Sequence, residues 1–167
     1  MGDRFLEQYG GQSTDQLIAM ENEYRIDSLV LAFEQAIDQK AYDHGMDALS
    51  DEEAVVLAIE ALEREVNNGG YMLFFTNSSV EYAPMILHAL GRIDCPYTQS
   101  VTERAIEALA IDGPLTVENI EEVIAESDPD VRDELAKCDD LYFQGQEDIA
   151  GRLFEFIRNN RSGIRIP

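Results

Sequence analysis

Two histidines, two cysteines and one asparagine–glycine run are the residues of this 167-residue sequence whose types invite a chemical reading. His44 and His88 lie far apart with no HExxH or HxH pattern around them, so the imidazoles lack metal-ligand spacing. His88, between Leu87 and Ala89, is expected to pack inside a helix, and His44, beside Gly45, to end one. Cys95 and Cys138 have neither CxxC spacing nor histidine neighbours, which points to small structural residues and not to a disulfide or a zinc site. Asn67-Asn68-Gly69-Gly70 resembles an anion-cradling loop in offering free backbone N–H groups, but it lacks the lysine and the strand of a P-loop. Hydrolysis or group transfer needs a nucleophile beside a base, a metal cluster, or two carboxylates held at different pKa values. None is legible, so no catalytic residue, metal site or cofactor is expected, and the chain reads as a non-enzyme. One alternative stays open: Asn67, Asn68, Asn77, Ser78 and Tyr82 gather over Phe74 and Phe75 as a small-ligand or enzymatic site. Against it stands the simpler role of capping helix ends and satisfying buried backbone groups.

The elements that must position these residues are helices, because apolar residues recur at helical spacing and no strand-like alternation of any length is present. Ile26, Leu29, Val30, Phe33 and Ile37 form one stripe that leaves Asp27, Glu34, Asp38 and Lys40 outside, in a helix ending near His44-Gly45. Ser50 and Glu53 make a capping box for the next, whose buried face is Val55, Val56, Ile59, Leu62 and Val66. Its Glu60 and Arg64, at i and i+4, read as an exposed salt bridge, and a left-handed glycine after Asn67-Asn68 ends it. Tyr71 to Thr76 is a buried turn or two, after which Ser78 or Ser79 caps a helix with Pro84 in its first turn and Tyr82, Met85, Ile86, Leu90 and Ile93 inward. Further helices run from about Thr98 to Ala110, from a Thr116 cap, from an Asp128-Pro129 cap, and from Gln146 to Asn160 with Glu147 and Asp148 at its start. The expected fold class is therefore all-α: a compact single domain over 1–167 of about seven to nine helices. Residues 1–48 form a helical extension packed on a core at 49–160, and 161–167 a basic end.

Apolar runs such as Ala54 to Ile59 fall far short of the roughly 20 residues that span a bilayer, and the N-terminus lacks the basic start and apolar run of a secretory signal, so a cytoplasmic protein is expected. Charge is the unusual feature. Thirty-four acidic residues against 12 basic ones give −22, which repels phosphate backbones and argues against direct nucleic-acid binding. From Gly151 to Pro167 there are four arginines and one acid, a net of +3, which leaves −25 on residues 1–150. Glu118, Glu121, Glu122 and Glu126 place four carboxylates on about 13.5 Å of helix, about one per 3.4 Å, close to the charge spacing along one DNA strand. Asp128, Asp130, Asp133, Glu134, Asp139 and Asp140 continue the series, relieved only by Arg132 and Lys137.

The run Glu65-Val66-Asn67-Asn68-Gly69-Gly70-Tyr71-Met72-Leu73-Phe74-Phe75-Thr76-Asn77-Ser78-Ser79, followed by Tyr82-Ala83-Pro84, is similar to the signature of a bacterial DNA-mimic protein family. Leu49-Ser50-Asp51-Glu52-Glu53 before it, and Asp139-Asp140-Leu141-Tyr142-Phe143 with Glu147-Asp148 after it, fit the same pattern, so the resemblance covers about Leu49 to Asn160; Val80 stands where the pattern has glycine. The resemblance implies an all-helical homodimer whose surface carboxylates stand in for DNA phosphates and occupy a basic DNA-binding protein. The motif residues, Asn67, Asn68, Gly69, Gly70, Phe74, Phe75, Asn77, Ser78, Ser79, Tyr82 and Pro84, are mostly apolar and capping types and specify fold. Partner binding would fall to Glu118, Glu121, Glu122, Glu126, Asp128, Asp130, Asp133, Glu134, Asp139 and Asp140. Two other readings share this acidity. An immunity or antitoxin-type protein would use it against one toxin, and a salt-adapted protein would spread it evenly, whereas mimicry concentrates it on one face.

Overall fold

A computed structural model describes residues 2–166. Among them are nine α-helices and no β-strand; the one β-type contact is an isolated parallel bridge between Arg4 and Tyr24. The helices are α1 (Thr14–Ala19), α2 (Ile26–His44), α3 (Asp51–Gly69), α4 (Tyr71–Thr76), α5 (Ile86–Arg92), α6 (Pro96–Ala108), α7 (Val117–Glu126), α8 (Pro129–Gln144) and α9 (Ile149–Asn159), with 3-10 turns between several of them. No described helix is long and apolar enough to cross a membrane. The described residues fall into two compact units, one comprising the chain through Glu60 and from Asp148 onward, the other Ala61–Glu147.

In the first unit α2 packs against α1 and α9. The expected stripe is buried at Leu29, Val30, Phe33 and Ile37, and α9 answers with Leu153, Phe156 and Ile157. Two solvent assignments on α2 are corrected. Glu34 is only 7% exposed, because it lies four residues after Val30 and three before Ile37 on a face wider than the apolar stripe alone. Lys40 is drawn in by Glu53, whose side chain is fully buried and whose two carboxylate oxygens lie 2.8 and 2.9 Å from Nζ. The capping box forms as read, with Ser50 Oγ accepting from Glu53 N and Glu53 Oε2 from Ser50 N, both at 3.0 Å. The same carboxylate accepts from Arg165 N at 2.7 Å, while Ser50 Oγ and Thr14 Oγ1 each donate at 2.6 Å, to the carbonyls of Gly163 and Ile164. The C-terminal end is thereby stitched to the starts of α1 and α3. The last helix begins at Ile149, capped by Asp148, and not at Gln146.

In the second unit α6 packs against α5 and α8, and α4 against α7 and α8. Tyr71, Phe74, Phe75, Ile86, Leu90, Leu109, Ile120 and Leu135 are buried there. Glu60, the last first-unit residue of α3, is 7% exposed, so the exposed position expected for it is corrected: the helical period puts the glutamate on the buried side with Val56 and Ile59. His88 is also corrected. Ile86, Ala89 and Leu90 take the inner face of the seven-residue α5, and the helical period turns His88 outward. His44 ends α2 as expected. Ser78 and Ser79 do not cap a helix; Ser79 Oγ donates to Phe74 O at 2.9 Å, and Ser78–Met85 runs as 3-10 turns with Pro84 inside. Proline would crowd the carbonyl four residues back in an α-helix, so α5 starts only after it. Cys95 and Cys138 are buried free thiols, and burial pushes the Cys138 thiol up, which keeps it protonated and inert.

Candidate functional site

The motif that carries the family resemblance turns out to be a corner. α3 ends at Gly69, and Gly70 takes φ 86°, the left-handed region that glycine enters without a side-chain clash. A Cβ there would also lie 2.2 Å from the Asp139 carboxylate. That carboxylate accepts from Tyr71 N, the first donor of α4, at 2.7 Å, and so fastens α4 to α8. Burial raises the Asp139 pKa, while the bond from Tyr71 opposes the shift. Tyr71 is wholly buried, shares a 2.7 Å hydrogen bond with Thr102 on α6, and meets the Tyr142 ring edge-on at 6.0 Å.

The asparagines do not converge on a pocket. Asn67 Nδ2 donates to Glu63 O at 2.6 Å, Asn77 Nδ2 donates to Glu65 Oε2 at 2.8 Å, and Asn67, Asn68, Asn77 and Ser78 are all exposed. Phe74 and Phe75 are buried, their rings 5.4 Å apart, and Tyr82 is buried beyond the exposed amides. Asn67 thus bonds back along its own helix and Asn77 ties to α3, while the aromatic rings supply the packing of the corner, and nothing in their arrangement draws a small ligand's polar groups together. Glu147, read as the start of the last helix, instead caps α6: its carboxylate accepts from Tyr97 N, Thr98 N and Thr98 Oγ1 at 2.7 to 2.8 Å.

The acidic residues lie on α7 and α8. α7 starts at the predicted Thr116 cap, whose Oγ1 accepts from Asn119 N at 3.2 Å, and buries Ile120 while Val117, Val123 and Ile124 are partly covered. The opposite face carries Glu118, Glu121, Glu122 and Glu126, all exposed. A two-residue link follows: Ser127 is left-handed at φ 53°, and Asp128 caps α8 by accepting from Asp130 N at 2.8 Å. On α8, Leu135, Cys138 and Tyr142 face inward, and Asp130, Asp133 and Asp140 are exposed.

The basic residues near this series are committed elsewhere. Arg132 donates to the Ser127 carbonyl at 3.2 Å, and Lys137 and Arg104 both pair with Glu134, which holds its carboxyl below the usual range. Glu134 is thus matched within the fold, and Asp139 is spent on α4. Among the described residues, Glu118, Glu121, Glu122, Glu126, Asp130, Asp133 and Asp140 take part in no ion pair. In the first unit, by contrast, Arg4, Arg25, Arg158 and Arg161 stand beside Glu23, Asp27, Glu21 and Asp15. No group of three or more His, Cys, Asp or Glu side chains among the described residues is placed to hold a metal ion.

A family model described as DMP19-like protein matches residues 47–160. The chain belongs to that family. The match begins two residues before Leu49 and ends at Asn160, where the sequence resemblance ended, and it takes in the Gly70 corner and both acidic helices. No curated protein and no solved structure matches the chain.

Proposed function

We propose that this protein is a non-enzymatic acidic DNA mimic, acting in the cytoplasm as a homodimer, that binds a basic DNA-binding protein and competes with its DNA. The partner would be a transcription regulator, a nucleoid protein or a nuclease. One observation carries the reading: seven exposed carboxylates on two consecutive helices lack internal counter-charges, while Lys137 of the same stretch pairs with Glu134 and Arg132 turns to the Ser127 carbonyl. Their density matches that of a phosphate strand, about one charge per 3.4 Å on α7. Membership of the DMP19-like family supports the same reading.

Competition is measured by fluorescence anisotropy, with labelled duplex bound to purified regulators, nucleoid proteins or nucleases, and the protein added as competitor. The wild type should displace duplex from its partner at moderate salt. Combined reversal of Glu121, Glu122, Asp130 and Asp133 to lysine should abolish displacement. If no basic protein releases its DNA, or the reversed variant competes as well as wild type, the reading fails. Light scattering of the same samples tests the dimer.

A further inference from the structure

The exposed face of α8 does not end in charge. Asp133 and, two turns on, Asp140 are followed after one further turn by Phe143, a phenylalanine 58% exposed on the surface of the unit. Residues 133, 136, 140 and 143 follow one another at helical spacing, so the aromatic ring continues the acidic row instead of lying on another side. It is also held in place. The ring of buried Tyr142 meets it edge-on, centroids 5.5 Å apart and planes at 82°. An aromatic side chain positioned before binding loses little conformational freedom on docking, which is the character of an anchor residue.

We infer that Phe143 is the specificity anchor of the acidic surface, and that its partner is a basic protein with an apolar socket beside the lysines and arginines that receive Asp133 and Asp140. This rests on the DNA-mimic reading and sharpens it. Carboxylates spaced like phosphates attract any basic surface and cannot choose among them, because charge complementarity mainly sets encounter rate and salt dependence. A ring that duplex DNA does not present is favoured only where a partner has a matching cavity, and it opposes binding elsewhere. Buried aromatic anchors surrounded by charged rims typically carry the largest share of an interface's energy. The occupant is fixed by complementarity: the ring closes a row of unpaired acids, with Asp140 one turn before it and Asp133 further back, so a partner that covers the row and the ring must be basic beside an apolar socket.

The test separates charge from anchor. Displacement of labelled duplex from its basic partner protein, and binding to an oligolysine peptide that offers charge without a socket, are measured for wild type, Phe143→Ala and Phe143→Trp across a salt series. Phe143→Ala should bind the protein partner about tenfold or more weakly, with an unchanged dependence on salt, and should bind oligolysine as wild type does. Phe143→Trp should stay close to wild type, and circular dichroism should show all three folded. If Phe143→Ala competes as well as wild type, the anchor is wrong while mimicry stands. If it loses oligolysine binding equally, the ring acts through the fold or the charges, and the inference is overturned. If wild type displaces no DNA at all, the inference falls together with the reading beneath it.

Discussion

Glu63, on the second-unit part of α3, has a buried carboxylate oxygen, Oε1, with no hydrogen-bond partner among the described residues, and burial pushes its pKa up to about 7 from an ordinary 4.5. The folded state therefore holds this proton more tightly than the unfolded chain. The stability it contributes is complete below about pH 4.5 and is lost as pH rises through about 7. Glu63→Gln should leave stability near pH 4 unchanged and raise it at pH 8, by up to about 3 kcal/mol, in urea denaturation at the two pH values. A loss at pH 8 would show that the carboxylate has a partner in the folded protein. Gly70 is the second residue whose role is local. Alanine there meets both the positive φ and the Asp139 carboxylate, so Gly70→Ala should lower stability by about 2 kcal/mol or more, read from the urea midpoint. The left-handed glycine was legible from Asn67-Asn68-Gly69-Gly70. The carboxylate waiting 69 residues later was not, because no local pattern links the two.

Elements were legible where their ends carry their own chemistry. Thr116, Asp128-Pro129 and the Ser50–Glu53 box each name a helix start by hydrogen bonds a few residues long, and all three formed as read. The misread ends are those decided by distant partners. Glu147 caps α6 rather than the last helix because the N-terminus of α6 reaches it across the chain, and Ser79 bonds back to Phe74 once Pro84 has turned the segment to 3-10. Lys40 belongs here too. Its ammonium satisfies the fully buried Glu53, which also holds Arg165 N, so three distant segments meet on one carboxylate. Lys40→Met strands that charge and should cost about 3 kcal/mol in the same denaturation measurement. A smaller loss than that of an exposed lysine elsewhere would mean that Ser50 and Arg165 suffice.

At the scale of the whole molecule, a net charge of −22 makes every association with a basic partner depend on salt. Competition with duplex DNA should weaken steeply between about 50 and 200 mM salt, and neutralising Glu121, Glu122, Asp130 and Asp133 to their amides should flatten that dependence. Titrating displacement against salt checks both, and an affinity indifferent to salt would remove electrostatics as its source. The all-α class, the helix starts fixed by local caps and the position of the acids could be read from the sequence alone, because helical periodicity and capping act over a few residues and charge is a matter of composition. Which acids are free to meet a partner was not in the sequence. Glu118 and Asp139 look alike there, yet one stands bare on α7 and the other is spent on Tyr71 N. Only the packing of α4 on α8 separates them, since the backbone donor that occupies the Asp139 carboxylate arrives from another part of the chain.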